Sequence, residues 1–89
     1  MNQEQWIEKL TAEGFKNLSV CSNGPGTEFP EHTHHDHTVH VILQGEFALH
    51  EKDGDKLLHE GERFEIPAGT THSAKCGSQG CAFIVGTKK

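Results

Sequence analysis

Apolar residues recur at helical spacing only at the start of the chain. Trp6, Ile7 and Leu10 share one face of a helix predicted over residues 2–13, and Gly14 follows as its stop. Beyond Gly14 the pattern changes to short runs divided by glycine-rich segments, which predicts strands. These runs cover residues 15–21, 27–34, 38–43, 46–50, 56–59, 63–66, 72–76 and 81–85. Asn23-Gly-Pro-Gly26 predicts a turn, and Asp53-Gly54 signals a hairpin. Gly45 is expected to break the run before residue 46, and Gly77-Ser-Gln-Gly80 to turn the last pair of strands. Many short strands with one peripheral helix imply an all-β chain, a small β-barrel or jelly roll with a short N-terminal α-helix. Residues 1–14 would form the helix and residues 15–87 the barrel, in a single domain. The sequence has no internal repeat and no linker.

The alternation within residues 38–43 has a consequence for packing. Thr38, His40 and Ile42 fall on one face, and Val39, Val41 and Leu43 on the other. If the histidine face looks inward, three aliphatics look outward and require a cover. The N-terminal helix, through Trp6 and Leu10, or a second subunit would supply it. The modest core that 89 residues can bury also favours a homodimer.

Five of the eight histidines lie in one stretch, His32-Thr-His34-His35-Asp-His37-Thr-Val-His40. Residues two apart on a strand point the same way, so His32 and His34 can converge on one ion. Neutral imidazole is the commonest protein metal ligand. A second segment, Gly61-Glu-Arg-Phe-Glu-Ile-Pro67-Ala-Gly69-Thr-Thr-His72, can bring His72 in from a distant strand.

Residues 26–45 resemble the first cupin motif, with a glycine six residues before the H-x-H and a second glycine after it. Residues 61–72 resemble the second, G-x5-P-x-G-x2-H, at every fixed position as far as the histidine. The resemblance covers the central half of the chain. It implies a cupin-type barrel of the small single-domain kind, with a divalent ion (iron, zinc, nickel or manganese) held by His32, His34 and His72, and commonly a dimer. The chain departs from the family pattern at two positions. Thr38 stands where cupins usually carry a glutamate ligand, and Cys76 where they carry an asparagine.

Around this trio, His40, Asp36 and His37 are further ligand candidates, and His40 is the candidate proton acceptor. His40 and Asp36 are nominally in phase with His34, although Asp36 sits in an expected bend. His40 lies two residues beyond Thr38, roughly 6.6 Å along the strand, where a ligand role and a role beside the site weigh equally. Thr38, Cys76, Phe29 and Phe64 are candidates to line a pocket. Each also has a plain reading, Thr38 as a β-branched strand residue, Cys76 as a small buried thiol, the two rings as core. His35, His37, His50 and His59 read as surface residues, His37 being a minor ligand candidate beside that reading. Cys76 and Cys81 form a C-x4-C pair, for which a zinc or redox role lacks two further ligands nearby.

Charge narrows the partners. A net charge of −5 and a pI near 5.8 argue against nucleic acid and anionic membranes. No apolar run approaches the length of a membrane span. The first residues lack the pattern of a secretory signal, and three cysteines suggest no disulfide framework, so a cytoplasmic setting is expected. A small polar or anionic molecule is the expected partner. Three functions remain open: a metalloenzyme of dioxygenase or isomerase type, a non-catalytic ligand-binding or sensory module, and a metal-handling protein.

Overall fold

The computed structural model describes residues 1–33, 35–52 and 54–88. Asn2 caps helix α1 (Gln3–Ala12). Its side chain accepts from the Gln5 amide at 2.8 Å, and the Gln5 side chain accepts from the Asn2 amide at 2.9 Å, a reciprocal capping box. Six strands follow among the described residues: β1 (Lys16–Asn23), β2 (Glu28–Thr33), β3 (His37–Glu51), β4 (Gly54–His59), β5 (Arg63–Ile66) and β6 (Thr71–Lys88). The hairpin between β3 and β4 closes with Gly54 opposite Glu51; Asp53 lies outside the described residues.

All pairings are antiparallel, and the two long strands organise them. The first part of β3 lies between β5 and the last part of β6, which in turn pairs β1. The last part of β3 lies between β4 and the first part of β6, which in turn pairs β2. The chain therefore forms two four-stranded faces, β1-β6-β3-β5 and β2-β6-β3-β4, joined along β3 and β6.

This corrects two expectations. Gly45 does not end a strand, and residues 77–80 do not reverse the chain. Both lie at a bulged corner where Gly45 pairs Cys81 and Phe47 pairs Cys76, so that residue 46 opposes residues 77–80. A bulge bends a strand without turning it back. Gly45 has φ 78°, and a Cβ there would stand 2.2 Å from the Gly80 carbonyl oxygen. Only glycine fits so close an approach in the left-handed region.

A third expectation is overturned at the same corner. Cys76 and Cys81 form a disulfide, although the odd cysteine count suggested none; Cys21 is the one left over. Local spacing marked the pair as flanking a turn, and only the long-range register brings the two sulfurs together. The loop it closes is short, with a sequence separation of 5. The entropy it removes from the unfolded chain is correspondingly small, about 2 kcal/mol. The cysteine argument for a reducing compartment falls with it.

The bulge also shifts the phase of β3. Thr38, His40 and Ile42 point inward before the corner, and Phe47 and Leu49 after it. The core between the faces joins Ile42, Phe47, Leu49, Leu58, Phe64, Ile66, Ala74, Cys76, Cys81 and Phe83. A second cluster lies outside, where Leu10 and Phe15 cover Val39, Val41 and Ile84, flanked by Trp6, Ile7, Leu18 and Leu43. Val39 and Val41 are wholly buried within the single chain. The chain's own helix covers this face, so the face no longer argues for a second subunit.

A charged pair fastens the helix. Arg63 donates through two guanidinium nitrogens to Glu13, one bond measuring 2.9 Å. Arg63 and, to a smaller degree, Lys9 hold the Glu13 carboxyl down to about 2. A folded value below the ordinary 4.5 means that the pair contributes fully above about pH 4.5. The contribution is lost as the pH falls toward about 2. Thermal unfolding across this window should show a falling midpoint, and Glu13→Gln should flatten that fall. The lowered carboxyls of Glu65 and Glu62 leave a residual slope. An identical acid profile in the variant would refute the assignment.

Candidate metal and ligand site

The corner closes one end of the two faces, and the other end is a mouth. At the mouth, β2 ends at Thr33 and β3 begins at His37 on the opposite face. The histidine-rich connection therefore passes from one face to the other. The Pro67–Gly69 turn makes a second crossing, with the Thr70 amide donating to the Pro67 carbonyl at 3.2 Å and Gly69 at φ 86°. It carries the chain from β5 to the start of β6, beside β2.

These crossings bring His32 and His72 together. They are cross-strand partners in the β2–β6 register, past an irregularity after Phe29. Their ring centroids lie 4.7 Å apart at an interplanar angle of 53°. His72 is 3% exposed, whereas His32 is open to solvent. His32 Nδ1 lies 2.9 Å from the Pro30 carbonyl oxygen. A carbonyl only accepts, so this contact makes Nδ1 the protonated nitrogen and leaves the lone pair on Nε2. Metal-binding histidines are commonly oriented in this way. Next to the pair, the Thr33 and Thr71 hydroxyls lie 2.7 Å apart. His34, the expected third member, lies outside the described residues. Among the described residues, no group of three His, Cys, Asp or Glu is assembled as a metal cluster.

The remaining candidates divide between inside and outside. His40 is buried and stacks on Phe64 at 4.7 Å and 5°, with Phe83 at 5.4 Å and Phe47 at 6.0 Å. Phe29 reaches the same aromatic group, 5.8 Å from Phe47 and 5.9 Å from Phe83. Thr38 is buried, with its hydroxyl donating to the Asp36 carbonyl at 3.0 Å. Cys76 faces inward as expected, but as half of the disulfide rather than as a thiol.

His37 turns to the outer face. Its Nε2 lies 2.6 Å from a Glu65 carboxylate oxygen, and its ring lies 6.0 Å from Phe15 in the outer cluster. His37 first, and then Arg63, hold the Glu65 carboxyl below the usual range. Asp36 lines an outer recess of about 570 Å³ with Glu13, Gly14, Lys16, Asn17, Thr87 and Lys88. His35 is exposed. His50 pairs Asp55 at 3.0 Å, and His59 bridges Glu46 and Glu62 at 3.1 and 3.2 Å, all on the surface. Sequence reasoning left the direction of Asp36 open in its bend and read His37 as a surface residue and minor ligand candidate, without finding its outward turn onto Glu65. Glu65 lies opposite Val39 on the outward side of β5 and could have signalled it.

Comparison with known proteins agrees with this architecture. The family model described as "Cupin domain" matches residues 20–85. Over 74 residues the chain is 36% identical to quercetin 2,3-dioxygenase of Bacillus subtilis (strain 168). That stretch is 81% of this chain but 22% of the relative's length. A cupin superfamily protein of Desulfitobacterium hafniense DCB-2 superposes with a TM-score of 0.73 at 24% identity, covering 79% of this chain and 63% of the other. A cupin-2 domain containing protein of Shewanella frigidimarina NCIMB 400 gives 0.70 at 18% identity, covering 94% and 92%. At these identities the two structures share the fold.

Proposed function

The chain belongs to the cupin family, and on that footing we propose that it binds one divalent metal ion through His32, His34 and His72 for chemistry on a small polar or anionic molecule. The single observation that carries this is the His32–His72 cross-strand pair at the mouth, with His32 Nδ1 directed at a backbone carbonyl. Both imidazoles suit a metal in type, the His32 contact leaves its Nε2 as the ligating nitrogen, and His34 is the third member by its spacing from His32. Such an ion would supply Lewis acidity and open coordination positions for a ligand. The protein's own part is to hold the imidazoles and to exclude water beneath them. Phe29, Phe47, Phe64 and Phe83 fill the interior below the mouth, so that water meets apolar walls on that side. His40 stands among these rings as the candidate group to take or return a proton.

The reading favoured is a metal-dependent oxidoreductase of dioxygenase type. Support comes from the identity with the relative named quercetin 2,3-dioxygenase. An isomerase-like reaction is the nearest variant. A second reading, a non-catalytic ligand-binding or sensory cupin, draws on the dense ring packing around His40. Metal titration of tag-free protein, followed by aerobic and anaerobic assays on small enediol-bearing molecules, separates the two. One equivalent of metal with oxygen-dependent turnover supports the enzyme, and metal with tight binding but no turnover supports the module. No metal taken up at stoichiometric levels would refute both.

The cytoplasmic and dimeric expectations stay proposals. Among the described residues no helix is long and apolar enough to cross a membrane. Exposed Val20 on β1 and Leu57 on β4 are the apolar surface a second subunit would meet.

Thr38 gives a further prediction. It faces inward and is 2% exposed. Thr38→Glu would bury a carboxylate there, which is costly unless a cation neutralises it. Expected is a metal-free variant markedly less stable than the parent, regaining stability with a hard ion such as manganese. Calorimetry with and without manganese checks this. Equal destabilisation in both conditions would show that residue 38 does not face the metal.

A further inference from the structure

We propose that the Cys76–Cys81 pair is a redox site, and that its state sets how firmly β2, the strand carrying His32, is held to the barrel. The bridge joins the two parts of β6 across residues 77–80, at the corner shared by both faces. That short excursion is the anchor for the entry to β2. The Gly26 amide donates to the Gly77 carbonyl at 3.1 Å, and the Cys76 amide donates to the Thr27 carbonyl at 2.8 Å. On its other side Gly80 packs on the backbone of residues 23–25, where β1 leads into β2. One covalent link thus fixes the backbone groups that position both ends of the β1–β2 connection.

From that anchor β2 runs as an outer strand. Its neighbour in the sheet is β6, with an irregularity between Phe29 and His32. A strand with one neighbour depends on its ends for its register. With the bridge open, the excursion can lengthen and shorten, and the Gly26 and Thr27 contacts lose their fixed partner. The change is local, because the loop closed is short and the β3–β6 pairing continues on both sides of it.

The chemistry requires a dithiol reductant. Its thiolate attacks one sulfur, the Cys76–Cys81 bond breaks, and a mixed disulfide forms. The reductant's second thiol then displaces the cysteine and closes its own disulfide. The pair gains two electrons and two protons, and the dithiol loses them. Both cysteines are buried, but Ser78 and Gln79 between them are exposed, so the excursion is the route of access. Reduction by a small dithiol should therefore outpace reduction by a bulky one.

The effect on metal rests on the ligand reading above; the effect on β2 does not. The test uses the full chain in the presence of a chelator, oxidised or treated with dithiothreitol. Thiol counting on denatured samples should give one thiol per chain before treatment, from Cys21, and three after it. Hydrogen exchange should then show amides of residues 26–33 exchanging at least tenfold faster in the reduced form. The Ile42 amide, bonded to the Glu62 carbonyl at 2.9 Å, should keep its rate. Cys76→Ser/Cys81→Ser should match the reduced form and ignore dithiothreitol. Three thiols before treatment would overturn the proposal, as would equal protection of residues 26–33 in both states. Loss of protection throughout the chain would overturn it too, since the bond would then be a condition of folding. Zinc titration of both forms follows, with weaker binding expected after reduction. If neither form binds zinc while the exchange difference persists, the ligand reading fails and the redox site stands.

Discussion

His72→Ala should abolish stoichiometric metal binding. His72 is the buried member of the pair, delivered to the mouth by the Pro67–Gly69 turn and flanked by His32. Loss of an outer partner of a ligand already costs about 10–100-fold in affinity, and loss of the ligand itself should cost more. Wild-type protein with metal at a hundredfold excess over Kd should gain about 2.7 kcal/mol of stability. The variant should gain almost none. His59→Ala removes a surface imidazole paired with Glu46 and Glu62 and should leave both quantities unchanged. Calorimetric titration with zinc, together with thermal unfolding, measures both effects. One equivalent of tightly held zinc in His72→Ala would remove this residue from the site.

The second large effect is expected at Gly45. Gly45→Ala should destabilise the metal-free chain by roughly 3 kcal/mol, a large share of a small domain's stability. Two causes combine. The residue sits at φ 78°, and the added Cβ would overlap the Gly80 carbonyl, which belongs to the backbone and cannot rotate away. Gly61 separates them, having φ 86° and open space within 4 Å of where a Cβ would stand. Gly61→Ala therefore carries the conformational cost alone, about 1 kcal/mol. Urea unfolding of both variants isolates the overlap. Equal losses would mean that the corner opens without resistance.

The contrast between these glycines explains what the sequence made legible. Helix α1 was readable because Asn2, the Trp6–Leu10 face and Gly14 act within a few residues of one another. The meeting of His32 with His72 was readable because the motif around Pro67 and Gly69 specifies a crossing turn. Gly45 and residues 77–80 were misread. A glycine ends local propensity in the same way whether the chain reverses or merely bulges, and the difference lies in the partner strand. The disulfide was missed for the same reason. Asp36 and His37 lie where the chain changes face, so strand parity could not assign their direction. Thr38 and His40, two and four residues beyond Asp36 on a regular strand, were assigned to one face by parity, and both are buried.

The sharing of β3 and β6 between both faces has a consequence for the order in which the molecule assembles. β1 and β2 are made before β6, yet each takes its neighbour from it; Lys16, for example, waits for Thr87. Neither face can be completed before β6 is made. Chains dominated by such distant pairings typically fold in milliseconds to seconds. The barrel should therefore form late, once β6 is available to both faces.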